Sequence, residues 1–143
     1  MAEGAGARGS VAEQLARGDV FEPGCPSRRV MRHVTSSWGV LVLIALQAGT
    51  HRFSALRRRV SGVSERMLAQ TLQALEGDGL VERRSFPVVP PHVEYSLTPL
   101  GAEAAGKVAA LADWIEANIA GIVARADAAG ADPAGTDPAG TDG

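Results

Sequence analysis

Two short amphipathic segments joined by four residues constrain this chain more than any other feature. In "RFSALRRRV" the apolar residues Phe53, Leu56 and Val60 recur at i, i+3 and i+7. In "SERMLAQTLQALEGDG" Leu68, Leu72 and Leu75 share one helical face, with Ser64 placed as N-cap and Gly77 or Gly79 as the stop. The intervening "SGVS" reads as a tight turn. Two short helices joined by a few residues containing glycine match helix-turn-helix spacing.

The flanking segments complete an architecture. "SSWGVLVLIALQAG" is almost continuously apolar, with Ser36 or Ser37 as cap and Gly49 as end, so it reads as a helix at the centre of the core. A buried strand competes with that reading, but length and capping favour the helix. Upstream, "RRVMRHV" offers Val30, Met31 and Val34 as the apolar side of a short helix beginning near Ser27. Downstream, "LVERRSF" and "HVEYSLT" are strand candidates. In the second, Val93, Tyr95 and Leu97 alternate with His92, Glu94 and Ser96, as a half-buried strand requires. The three prolines of "PVVPP" lie between the strands, where no ladder donor is needed. They make a hairpin tip rather than a docking ligand or a linker. Arg83 and Arg84 then stand at the hairpin's base, and His92 is the tip's basic group.

"TPLG" restarts a helix, Thr98 as cap and Pro99 in the first position. Along it Val108, Leu111, Ile115, Ile119 and Ile122 repeat at spacings of three and four, a seam longer than a small domain's own core needs. The organisation expected is an extension over 1–24 with a short helix from Ser10 to Gly18, closed by a Ser10–Glu13 capping box. A compact domain over 25–98 follows, then a dimerisation helix over 99–125. From 126 to 143 "DPAGT" occurs twice in a small, acidic stretch that reads as a disordered tail. The fold class is therefore α+β, mainly α with a small β-hairpin: a winged helix-turn-helix.

The net charge of −2 conceals a pattern: −2 over residues 1–24, +5 over 25–107 and −5 over 108–143. A basic middle between acidic ends suits an anion-binding module, although a solvated surface shows the same. With the leucines of the second short helix inward, Glu65, Arg66, Ala69, Gln70 and Gln73 face outward. Arg pairs with guanine and Gln with adenine through two hydrogen bonds each, so Arg66 and Gln70 are the base-reading candidates and Gln73 lies further along. Ser64 at the helix start is within reach of a phosphate. Arg57 and Arg58, of the Arg57–Arg58–Arg59 run, together with Arg52, Arg84 and His92, are candidate backbone contacts, His51 lying beside Arg52. Three consecutive arginines cannot all face one phosphate row, so at most one or two of them are expected to contact DNA.

The segments "CPSRRVMRHVTSSWGVLVLIAL", "HRFSALRRRVSGVSERMLAQTLQALEGDGLVERRSFPVVPPHVEYSLTPLG" and "LADWIEA" resemble the HxlR-type winged-helix transcriptional regulators of bacteria, relatives of the MarR group. The resemblance runs from about Cys25 to Asn118. It implies a homodimer on a pseudo-palindromic double-stranded DNA operator, held by terminal helices, here through Leu111, Trp114, Ile115, Ile119 and Ile122. It departs at Ser36-Ser37-Trp38, where the family often has Gly-Lys-Trp, and at His92, where it favours Arg or Lys. It also implies a thiol sensor at Cys25, in the Cys-Pro position, answering an oxidant or other small-molecule effector. Arg28, Arg29 and a helix start beyond it set positive potential near that sulfur. A buried small hydrophobe is the plainer role for it.

Other classes are poorly served. His33, His51 and His92 are not at metal-ligand spacing, and neither a phosphate-cradling glycine loop nor a nucleophile elbow occurs, so neither a cofactor nor an enzyme is expected. The longest apolar run, Trp38 to Leu46, is about half a membrane span. A single cysteine and an N-terminus without the form of a signal peptide fit a cytoplasmic protein, and the resemblance implies a bacterial, nucleoid-associated one. The competing function is a winged helix that binds protein and has no operator.

Overall fold

The computed structural model describes residues 9–17 and 25–130. The chain divides into two compact units, residues 1–32 and 33–143. In the first, α1 spans Val11–Arg17. The expected capping box forms: the Ser10 N–H donates to Glu13 Oε1 at 2.9 Å and the Glu13 N–H to Ser10 Oγ at 3.1 Å. Gly18, the proposed stop, lies outside the described residues. Helix α2 spans Pro26–Thr35.

The second unit is built around α3, Ser37–Leu46. Its cap is Ser36, whose Oγ accepts from the Gly39 N–H at 3.0 Å. Val42, Leu43 and Leu46 of α3 are buried together with Leu56 of α4 (Phe53–Arg59) and Leu68, Leu72 and Leu75 of α5 (Glu65–Gly77). Each such side chain stabilises the fold by about 1.5–3 kcal/mol relative to exposure. The helical period read from the leucines is thus the period of the core.

The turn between α4 and α5 needs a left-handed residue, and Gly62, at φ +91°, supplies it. After α5 the chain reverses through Asp78 and Gly79 (φ +79°) into β2, Val81–Phe86, which pairs antiparallel with β3, His92–Leu97. All three prolines fall in the connecting loop, and the Val89–Pro90 peptide is cis. The sheet has a third strand beyond the two expected from the sequence: β1, His51–Arg52, pairs with β3 through His51↔Tyr95 and Arg52↔Glu94. Two residues are too few to display a period of two, so the strand has no pattern of its own. The strand order is β1–β3–β2.

Helix α6, Pro99–Ala128, starts on Thr98, whose Oγ1 accepts from the Gly101 N–H and donates to the Gly79 carbonyl. It runs three residues past the expected boundary at 125, because Ala126, Ala128 and Ala129 favour helix and the left-handed residue arrives only at Gly130 (φ +79°). The rest of the expected tail, residues 131–143, lies outside the described residues. Among the described residues no helix is long and apolar enough to cross a membrane, and no cluster of His, Cys, Asp or Glu could hold a metal ion.

Candidate nucleic-acid interface

The outward face of α5 follows from its inward one. Leu68, Leu72 and Leu75 are fully buried; Arg66, Ala69, Gln70 and Gln73 are exposed on the other side. Arg66, Gln70 and Gln73 have no hydrogen-bond or ion-pair partner among the described residues. Their guanidinium and amide groups form a row at i, i+4 and i+7, able to make paired hydrogen bonds to planar polar edges. Ser64 is the N-cap, its Oγ accepting from the Met67 N–H at 3.0 Å while keeping its own O–H to donate.

The arginine cluster divides. Arg58 and Arg59 are exposed and unpartnered among the described residues. Arg57, expected to meet phosphate, turns back across the helix-turn-helix instead. Its Nε–H donates to the Val63 carbonyl at 3.4 Å and its Nη1 to Glu65 Oε2 at 3.2 Å. The first helix thereby grips the first residue of the second. Beside this grip Ser54, Arg58, Ser61 and Ser64 edge an open depression of about 690 Å³.

The wing also differs in detail. Arg83 and Arg84 are mid-ladder, opposite Tyr95 and Glu94, rather than at the hairpin's base. Register sets Arg52, Glu94 and Arg84 in one row across three strands. Arg84 pairs with Glu82 at 3.5 Å. His92 is half-buried, not freely exposed at a tip: its ring stacks on Phe86 with centroids 4.7 Å apart, and its Nε2 lies 3.3 Å from Glu94 Oε2. The stacking depends on strand register, which the five-residue loop hides in the sequence. The exposed tip is apolar, with Val89 the most exposed large hydrophobic side chain among the described residues.

Cys25 precedes α2, half-buried, and its Sγ accepts from the Arg28 N–H at 3.4 Å. On α6, burial ends at Val108. Leu111, Trp114, Ile115, Ile119 and Ile122 are all exposed, Trp114 by 58% and Ile115 by 39%. Two further contacts went unforeseen in the sequence. The Arg57–Glu65 pair had a signal, opposite charges bracketing a known turn. The His33–Asp78 pair, 45 residues apart, had none.

Comparison with known proteins agrees with this fold. The family model described as HxlR-like helix-turn-helix matches residues 33–122. The uncharacterized HTH-type transcriptional regulator YtfH of Escherichia coli K12 is 63% identical over 118 residues, 82% of this chain and 94% of that protein. The solved structure of the transcriptional regulator YtfH from Salmonella typhimurium is 65% identical, with a TM-score of 0.71 over 75% of this chain and 96% of that one. The redox regulator HypR in its reduced form is 31% identical, with a TM-score of 0.63 over 70% of this chain and 99% of its own.

Proposed function

Since this chain belongs to the HxlR-like helix-turn-helix family, we propose that it binds a pseudo-palindromic operator as a homodimer and represses transcription from it. It is a transcriptional regulator with a helix-turn-helix DNA-binding fold. The observation that carries the finer reading is the unpartnered Arg66–Gln70–Gln73 row, directly opposite the buried leucines of α5. Placed in a major groove, Arg66 donates twice to guanine and Gln70 pairs with adenine, while Arg58, Arg52 and the Ser64 hydroxyl meet phosphates. Glu65 lies at the groove end of the same helix. Gln73 extends the row along the groove, and Arg84 and His92 belong to the wing's approach to the backbone. Occupying an operator is enough to block transcription, so repression is the simplest sign of control.

The exposed α6 stripe of Leu111, Trp114, Ile115, Ile119 and Ile122 supports the dimer, because an apolar row of this length seldom faces water in a monomer. The likeness to the redox regulator HypR supports Cys25 as a thiol that an oxidant converts to a sulfenic acid, a mixed disulfide or a disulfide with the second copy's Cys25. Selection from random duplex DNA, run with and without a quinone, tests the whole reading. The expected product is an inverted repeat with half-sites about 34 Å apart, enriched less with the quinone in the parent and equally in Cys25→Ser. An unchanged quinone response in Cys25→Ser would end the thiol reading. If no sequence is enriched, the fold serves a protein partner instead.

A further inference from the structure

An acidic side chain stands where the proposed interface should repel it. Glu65 is the first residue of α5 and 73% of its side chain is exposed. It sits one position before Arg66, about 100° around the helix from it, and helical side chains lean toward the N-terminus. A carboxylate so placed projects past the start of the helix, toward the end that enters a groove first. Left alone it would repel phosphates. Arg57 answers this from the preceding helix, its Nη1 3.2 Å from Oε2. The same guanidinium is anchored through Nε–H on the Val63 carbonyl, so it is fixed at two points. Only one carboxylate oxygen has a hydrogen-bond partner among the described residues; Oε1 has none.

We infer that Glu65, held and charge-balanced by Arg57, is a specificity-determining residue that accepts a hydrogen bond from the exocyclic amine of a cytosine. This inference rests on the operator-binding reading above. In the major groove cytosine offers a donor without an adjacent acceptor from the same base. Guanine and thymine present acceptor oxygens, which a carboxylate repels, and adenine places the N7 acceptor beside its amine. An oriented carboxylate therefore discriminates by exclusion as well as by attraction. Arg57 is then a positioning residue, and the phosphate contacts of α4 fall to Arg58.

DNA selection with the full-length parent, Glu65→Ala, Glu65→Gln and Arg57→Ala tests this. The parent's half-site contains one fixed cytosine, and replacing it by thymine weakens binding about tenfold. Glu65→Ala loses the preference at that position and keeps all others. Glu65→Gln, whose amide can also donate, turns the position toward adenine. Arg57→Ala blurs the same position. A parent that selects an operator while Glu65→Ala selects the identical one overturns the inference and leaves the regulator reading standing. An Arg57→Ala variant that keeps its cytosine, while its logarithmic salt dependence of binding falls by about one, makes Arg57 a plain phosphate contact and overturns its positioning role. A parent that selects no site overturns the regulator reading, and this inference falls with it.

Discussion

His33 Nδ1 lies 2.6 Å from Asp78 Oδ2, joining the last turn of α2 to the residue that caps the C-terminus of α5. The Asp78 side chain is only 2% exposed. A carboxylate taken that far from water needs its partners, since removing one leaves desolvation uncompensated. His33→Ala is therefore expected to destabilise the fold by about 1–3 kcal/mol, read as a lower melting temperature. It should also loosen α5, because Asp78 sets where that helix ends and where the turn into β2 begins. A melting temperature equal to the parent's would show the pair to be incidental.

Two glycines on α6 predict opposite outcomes. At Gly101 an added methyl group would overlap the Leu80 carbonyl, because the helix start lies directly on the backbone that enters β2. At Gly106 the same methyl would meet nothing. Gly101→Ala should cost about 1–3 kcal/mol through overpacking. Gly106→Ala should stabilise by about 0.5–1 kcal/mol, by removing chain entropy from the unfolded state. Thermal melts of the two variants decide this, and equal shifts would disprove the close approach.

These contacts show what sequence could and could not reveal. The leucines of α5 and the Ser64 and Thr98 caps were legible because each is a local signal, carried by spacing within one turn or two. The outward row of Arg66, Gln70 and Gln73 followed from the inward one by geometry. The roles within "RRR" were not legible. Periodicity says which side of a helix an arginine leaves from, not which of two charges, a phosphate or Glu65, will hold it. Strand β1 and the stacking of Phe86 on His92 depend on register across the sheet, and register is a tertiary property in a hairpin whose loop is five residues long.

Arg66 and Arg58 should fail in different ways. Arg66 stands in the proposed base-reading row, so Arg66→Ala should weaken operator binding by about 1–3 kcal/mol and relax one base per half-site. Arg58 is exposed on α4, the helix proposed to meet the backbone, so Arg58→Ala should weaken operator and random DNA alike and lower the salt slope by about one. Titrations at several salt concentrations against operator and scrambled duplexes separate the two effects. An Arg66→Ala variant that keeps its full sequence preference would put the reading elsewhere.

The α6 stripe gives the sharpest test of assembly, because the residues that would join two copies are not those that hold one copy together. Of α6, only Gly101, Ala105 and Val108 are buried in the unit described. Ile115 and Ile119 lie one and two turns beyond Leu111, each about two-fifths exposed. A glutamate at Ile119 should therefore leave the isolated fold intact while placing an unpaired charge in an interface core. Ile119→Glu is expected to sediment as a monomer at micromolar concentration, with a melting temperature that no longer rises with protein concentration. Operator affinity should drop on the order of 10²–10⁴-fold, because the second half-site is no longer delivered by the first. A control substitution on the polar side, Glu116→Ala, should change neither. If Ile119→Glu stays dimeric, the stripe is not the seam. If the parent itself is monomeric, neither the seam nor a two-fold operator survives.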